Sequence, residues 1–330
     1  MGSLRLILAV FVLLYHSGYQ PFDFILGTFA VVSFFLMSGY VTTALTSKYY
    51  PAKKDLRPFL ADRALRLFPQ FLFYVTIALL LLTLGGATHP NYKVLTLGKV
   101  ALNYLMLPLG YYMYFLNTSL ILPPSWSLGL EATFYIAFHL LSTRKVLPVA
   151  SLLSFAVFSA AMLGYLDADV FGYRLLAGTL FIFDCGRYVY LRNGRVVLSI
   201  WIAVASVFAD FMIAHHGLVS SINFAVLTGI LIGVPAVWFL SKIKYRSSDE
   251  MLGNLSYGVY LNHYCIILAA GAMHIPYQSW VARCIIIAIS LPLGWVTYLL
   301  IERPVLNLRH RLRARVVPKS ANTVPTHEAT

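Results

Sequence analysis

The chain has 330 residues, 59% of them hydrophobic and 11% charged. A soluble domain carries about 25% charged residues, so the composition excludes a soluble globular enzyme and assigns most of the mass to a bilayer. The formal net charge of +13 would point to nucleic acid in a soluble protein, but here the enrichment of Lys and Arg in cytoplasmic loops accounts for it, and no nucleic-acid partner is expected.

Apolar runs long enough to cross a bilayer, about 17–25 residues, fall at 4–20, 24–46, 69–85, 126–142, 147–166, 171–190, 196–214, 221–240, 252–272 and 280–301. The expected fold is therefore all-α, a polytopic membrane protein of about ten transmembrane helices. The region 86–125 is the ambiguous one, with apolar stretches broken by Pro108, Gly110, Pro123 and Pro124. Charge decides it. With ten spans and both termini cytoplasmic, 21 of the 25 Lys and Arg face inward, leaving only Lys93, Lys99, Arg174 and Arg283 outside. An eleventh span would invert every later loop, so 86–125 is expected not to span. Residues 1–305 read as one membrane domain and 306–330 as a basic cytoplasmic tail, partly disordered. The first run lacks a small-residue cleavage site and contains Arg5, so it reads as a retained span. Cys185, Cys265 and Cys284 lie in separate apolar runs without ligand spacing and are expected to be small core residues.

Polar residues inside these runs are the candidates for chemistry, because a polar group at membrane depth faces protein or a water-filled cavity. Arg5 and His16 are eleven residues apart, within about 20° of three full turns, so a helix puts both on one stripe about 16 Å apart. In the second run Gly27, Ala30, Ser33, Ser38 and Gly39 are small enough for close helix packing or for a site. Arg63 and Arg66 share a face at i, i+3. They read either as topology anchors or, with Arg5 on the same side, as an anion site, since the planar guanidinium grips phosphate bidentately. Glu131 enters the bilayer with Tyr135 and His139 on nearly the same face, behind an interfacial Trp126. Asp184, three residues before Arg187, fits a local ion pair, and Asp210, His215 and His216 lie near an outer end. Asn262 and His263 sit mid-run, and Glu302 and Arg303 end the tenth run. No His, Cys, Asp or Glu set has metal-ligand spacing, so no metal is expected.

These residues carry a family likeness. The chain resembles the integral-membrane acyltransferase family three, the O-acyltransferases that modify sugars of bacterial surface polysaccharides. The likeness runs from about residue 4 to 305. It rests on Arg5 and His16, FFLMSGY at 34–40, the Arg63–Arg66 pair, WSLGLE with FY from Trp126 to Tyr135, LGNLSYGVYLNH at 252–263, and IERP at 301–304. Ser38, Trp126, Tyr135, Tyr257, His263 and Glu302 lie within those motifs as supporting candidates. Two departures stand out: Val32 and Ser33 occupy positions where members often carry an acid, and Glu131 is followed by Ala132 where many have a second acid. With about thirty residues after the last run, the stand-alone form without an esterase-like domain is expected.

The resemblance implies an acyl-CoA co-substrate, most often acetyl-CoA, held from the cytoplasm by Arg5, Arg63 and Arg66. His16 is then the general base, or forms an acyl-histidine, with Glu131 orienting it or binding the acceptor. The implied acceptor is a glycan or lipid-linked saccharide, with Tyr111, Tyr112 and Tyr114 available for stacking. The location is the bacterial cytoplasmic (inner) membrane. An exporter of a glycan or acylated intermediate would use the same buried polar path, and a non-catalytic sensor would have little reason to keep His16.

Overall fold

The computed structural model describes residues 1–86, 95–116, 118–214, 221–244 and 246–316. Lys93, His215 and His216 lie outside the described residues. Every apolar run expected from the sequence is a helix: α1 (Gly2–His16), α2 (Leu26–Tyr49) and α3 (Leu56–Thr83) come first. Short helices α4 (Leu97–Tyr104), α5 (Met106–Leu109) and α6 (Tyr112–Phe115) follow. Then come α7 (Trp126–Thr143), α8 (Leu147–Met162), α9 (Leu176–Tyr190), α10 (Gly194–Ala214) and α11 (Ser221–Leu240). The chain continues through α12 (Ser247–Ala272), α13 (Trp280–Thr297) and α14 (Arg303–Val316), and no strand occurs among the described residues. Five helical stretches are long and apolar enough to cross a membrane: Leu26–Tyr49, Lys53–Thr83, Gly194–Ile213, Ser221–Leu240 and Trp280–Arg309.

The centre of the bundle is α2 and α12. Both bury residues on all sides, as expected of helices apolar all round. α1 lies between them, α9 and α11 cover the far side of α2, and α3 and α13 pack on α12. The small residues of α2 serve this packing: Gly27, Ala30, Ser33 and Gly39 are buried. A Cβ on Gly39 would sit 1.8 Å from the Phe183 carbonyl oxygen, and one on Gly186 2.0 Å from that of Leu36, so α2 and α9 meet backbone to backbone. Stacked rings of Phe35, Phe183 and Phe134 then tie α2, α9 and α7 together. On the perimeter, Leu152 and Leu153 of α8, Leu198 and Ile202 of α10, and Ile285 and Ile289 of α13 are exposed, an apolar exterior suited to lipid.

Two boundaries near the site and one cysteine differ from expectation. α3 begins at Leu56 and runs through the basic stretch, so Arg63 and Arg66 stand on the same continuous helix as the third apolar run. Pro69 lies inside that helix rather than opening it. It removes one backbone hydrogen bond, and in the same turn the Tyr257 hydroxyl donates to the Leu67 carbonyl at 2.7 Å. Second, α1 ends at His16 instead of continuing to residue 20. Third, Cys284 is exposed, unlike the buried Cys185 and Cys265, because it lies on the outward face of α13 beside Ile285. The ambiguous region contains no helix longer than eight residues among those described. Its irregular backbone is held by Asn103, which donates to the carbonyls of Lys99 and Ser119 at 2.9 Å and accepts from Ile121 N at 2.8 Å. α5 lies directly on α7, where Gly110 N would be 2.1 Å from a Cβ on Gly129.

Candidate functional site

Two cavities touch α1. The larger, about 440 Å³, is lined by Arg5 near the start of the helix; the smaller, about 180 Å³, is lined by Val12 and His16 at its end. Arg5 and His16, expected on one stripe, thus each line a cavity, and the two cavities differ in chemistry.

The first chamber is cationic. α3 delivers Arg63 and Arg66, and α14 delivers Arg309 and Arg313. Each α3 arginine is held by a ring and a carboxylate. Arg63 lies 5.6 Å from the Tyr135 ring centroid and donates to Asp62 at 2.9 Å. Arg66 lies 5.3 Å from the Tyr257 ring and pairs with Glu302. Glu302 reaches it because a π-helical turn, Tyr298–Glu302, interrupts the run between α13 and α14; such single-turn irregularities recur at functional sites. Asp62 is fully buried and also receives Arg309 at 3.4 Å and Arg313 at 2.9 Å. The carboxylates fix the arginines without cancelling them, since Arg5 and Lys48 line the same space. The surplus is positive, as an anion-binding chamber requires.

Glu131 is the acid on the chamber wall. The Tyr135 hydroxyl, one turn along α7, donates to its Oε1 at 2.5 Å, and the Ser38 hydroxyl of α2 donates to the same oxygen. Of the α2 small-residue set, Ser38 thus lines the first chamber and Gly27 the second. His139, a further turn along, does not join it: its Nε2 lies 3.2 Å from the Ala52 carbonyl and its ring stacks on Phe59.

The second chamber is aromatic. Tyr15, Tyr112, Trp126, Tyr173 and Tyr260 line it together with His16 and Arg174. Arg174 is caged by rings, 5.5 Å from Tyr112, 4.8 Å from Trp126 and 5.3 Å from Tyr173, and its Nε donates to Asp169 at 2.7 Å. His16 stacks against His263, centroids 5.4 Å apart, and meets Tyr264 edge-on at 5.7 Å. His263 is fully buried. Its Nδ1 lies 3.0 Å from the Val259 carbonyl, and a contact with a carbonyl puts the ring proton there. Its Nε2 is left as a buried acceptor without a hydrogen-bond partner among the described residues. Of the three tyrosines named for stacking, Tyr112 faces this chamber while Tyr114 is 60% exposed outside it.

The structure gathers Arg5, Ser38, Arg63, Arg66, Glu131, Tyr135 and Tyr257 in the first chamber, and His16, Trp126 and Arg174 in the second. His16 and Glu131 line different chambers. The reason is depth. Glu131 stands five residues beyond Trp126, about 7.5 Å further along α7, which carries it to the Arg5 end of the bundle. Asp184 pairs with Arg187 as expected. Four participants escaped sequence reasoning. Asp62, a lone acid in a basic stretch, and Arg309 with Arg313, four apart in the tail, had a spacing signal. Arg174 had one in being an outward cation. Among the described residues no cluster of three or more His, Cys, Asp or Glu is arranged to hold a metal ion.

A family described as an acyltransferase domain matches residues 2–299. The chain is 30% identical over 200 residues to an uncharacterized protein of Aquifex aeolicus (strain VF5), an alignment covering 58% of this chain and 90% of that one. It is 25% identical over 348 residues to the O-acetyltransferase OatA of Staphylococcus aureus (strain NCTC 8325 / PS 47), covering 92% of this chain. The chain spans only 56% of the length of OatA. No solved structure matches.

Proposed function

The chain belongs to the integral-membrane acyltransferase family three, and on that premise we propose that it is a membrane O-acyltransferase that moves an acyl group, acetyl by its likeness to OatA, from acyl-CoA to a hydroxyl of a glycan or lipid-linked saccharide. The observation that carries the proposal is α1 itself. One helix offers Arg5 to a cationic chamber and His16 to an aromatic one, about 16 Å apart along its axis. In this reading the phosphates of acetyl-CoA enter the first chamber from the cytoplasm and meet Arg5, Arg63 and Arg66, with Arg309 and Arg313 at its α14 side. The pantetheine arm points along α1, and the acceptor hydroxyl lies in the second chamber beside His16.

The chemistry follows from the imidazole. His16 takes the proton of the acceptor hydroxyl as its oxygen attacks the thioester carbonyl. A carbon–oxygen bond forms, the carbon–sulfur bond breaks, and the departing thiolate receives the proton. An imidazole can both accept and return a proton, which suits both directions of that transfer. Glu131 belongs to the donor side: it holds the Ser38 and Tyr135 hydroxyls and balances the arginines. His263 packs against His16 and restricts its ring.

The test is purified full-length protein given radiolabelled acetyl-CoA and a panel of glycans, beside His16→Ala. Label on a glycan that disappears with His16→Ala is the expected result. Transfer that survives the substitution overturns the role of His16, and glycan counterflow without any transfer would favour an exporter. The orientation has its own test: a reporter fused near Leu120 should read extracytoplasmic and one near Lys145 cytoplasmic, in a bacterial cytoplasmic membrane with both termini inside.

A further inference from the structure

The two chambers are separate cavities that share part of their lining. Tyr260 and Val31 are the described residues that line both, so the wall between them is one aromatic ring from α12 and one small aliphatic side chain from α2. The ring is only 6% exposed. Its edge meets Phe34, centroids 5.8 Å apart. Its hydroxyl is latched at both ends of the partition: 2.8 Å from the Pro124 carbonyl, which belongs to the second chamber, and 2.7 Å from Ser127 Oγ, which belongs to the first. A tyrosine hydroxyl has one proton to give, so in donating to Pro124 it accepts from Ser127. Both anchors flank Trp126, at the start of α7.

We propose that Tyr260 is the gate between donor and acceptor chambers, the positioning residue that sets transfer against hydrolysis. The inference rests on the acyltransferase reading. With the ring in place, a thioester in the first chamber cannot reach His16, and water reaching His16 cannot reach the thioester. Swinging the ring aside breaks two hydrogen bonds and joins the chambers, and the chemistry proceeds only while they are joined. An enzyme that handles a hydrolysable intermediate keeps water out by such closure. If the gate is absent, water takes the acceptor's place. His16 removes its proton, the water oxygen bonds to the carbonyl carbon, the carbon–sulfur bond breaks, and the thiolate is protonated, giving free carboxylic acid and CoA thiol.

The experiment measures thiol release from acetyl-CoA by the purified full chain with no acceptor present. Tyr260→Ala should raise that rate on the order of tenfold over wild type while slowing transfer to glycan. Ser127→Ala, which removes one latch and little volume, should move both in the same direction by less. Adding His16→Ala to Tyr260→Ala should return release to the wild-type level. Thiol release unchanged in both single variants, with thermal unfolding showing them folded, overturns the proposal. A second readout needs no turnover. Val12→Cys, placed in the second chamber, is probed from the Arg309 side in a Cys284→Ser background, because Cys185 and Cys265 are buried. Labelling should accelerate when Tyr260 becomes Ala, and unchanged labelling overturns the gate. Should the labelling respond while wild-type protein neither transfers nor releases acetyl, the acyltransferase reading fails and the gate stands.

Discussion

The two chambers solve recognition in opposite ways. The first is built from long cations, three of them held by a carboxylate and a ring: Arg63 by Asp62 and Tyr135, Arg66 by Glu302 and Tyr257, Arg313 by Asp62 and the Tyr49 ring. The second, among the described residues, holds one arginine, Arg174, inside three rings, and much of the rest of its surface is aromatic. The difference teaches where specificity resides. On the proposed reading a phosphate-rich donor would be recognised by charge, which acts at a distance and tolerates small displacements. A hydroxyl of a neutral ring is recognised by shape and contact, which demand a fitted wall. The arginine chamber should therefore lose donor affinity as salt rises, because screening shortens the reach of its charges, whereas occupancy of the aromatic chamber should be nearly insensitive to salt.

The largest effect that tests this division is at His16. His16→Ala should lower transfer by about 10²–10⁴-fold, the usual contribution of a general base, and leave acetyl-CoA affinity, measured by calorimetry, unchanged. A parallel fall in donor affinity would merge the two chambers functionally. Next is Arg66→Ala. It strands the Glu302 carboxylate, whose side chain is 4% exposed, and losing one partner of a buried pair costs about 3–5 kcal/mol. The variant should unfold at lower temperature and bind donor weakly. Adding Glu302→Gln should restore most of the stability and none of the binding, and recovery of both would mean that Arg66 only neutralises Glu302. Smaller again, Tyr112→Ala removes one ring from the Arg174 cage, worth about 0.5–2 kcal/mol, and should raise the KM for acceptor but not for acetyl-CoA. The smallest effect is at Tyr114, exposed outside the chamber: Tyr114→Ala should change stability by less than about 0.5 kcal/mol and leave both KM values alone.

Much of the helical frame was legible because hydropathy is a local signal: every apolar run became a helix, and 86–125, flagged by its prolines, contains only short helices among its described residues. The start of α3 was not legible. Basic residues mark where apolar surface ends, not where helical hydrogen bonding ends, so the helix continued thirteen residues before the expected start. Within the site, pairs on one helix could be read directly: Arg5 with His16, Arg63 with Arg66, Glu131 with Tyr135. Contacts between distant segments could not. Asp62 meets Arg309 across 247 residues of sequence, and the depth of Glu131 relative to His16 depends on how α7 slides against α1, which no periodicity encodes. Tyr260 lay inside a quoted motif, but its position between two chambers exists only once α2, α7 and α12 have packed.

The ion pairs between Asp62 and α14 set an order of events in the life of the chain. Domains form progressively as the chain leaves the ribosome, and α3 is complete long before Arg309 and Arg313 exist. In that interval Asp62 has only Arg63 to hold, and the arginine chamber lacks one of its sides. If the chamber binds a phosphate-bearing donor as proposed, that affinity is completed last, after α13 has taken its place, so a nascent chain would not capture donor before the machinery that uses it has been assembled.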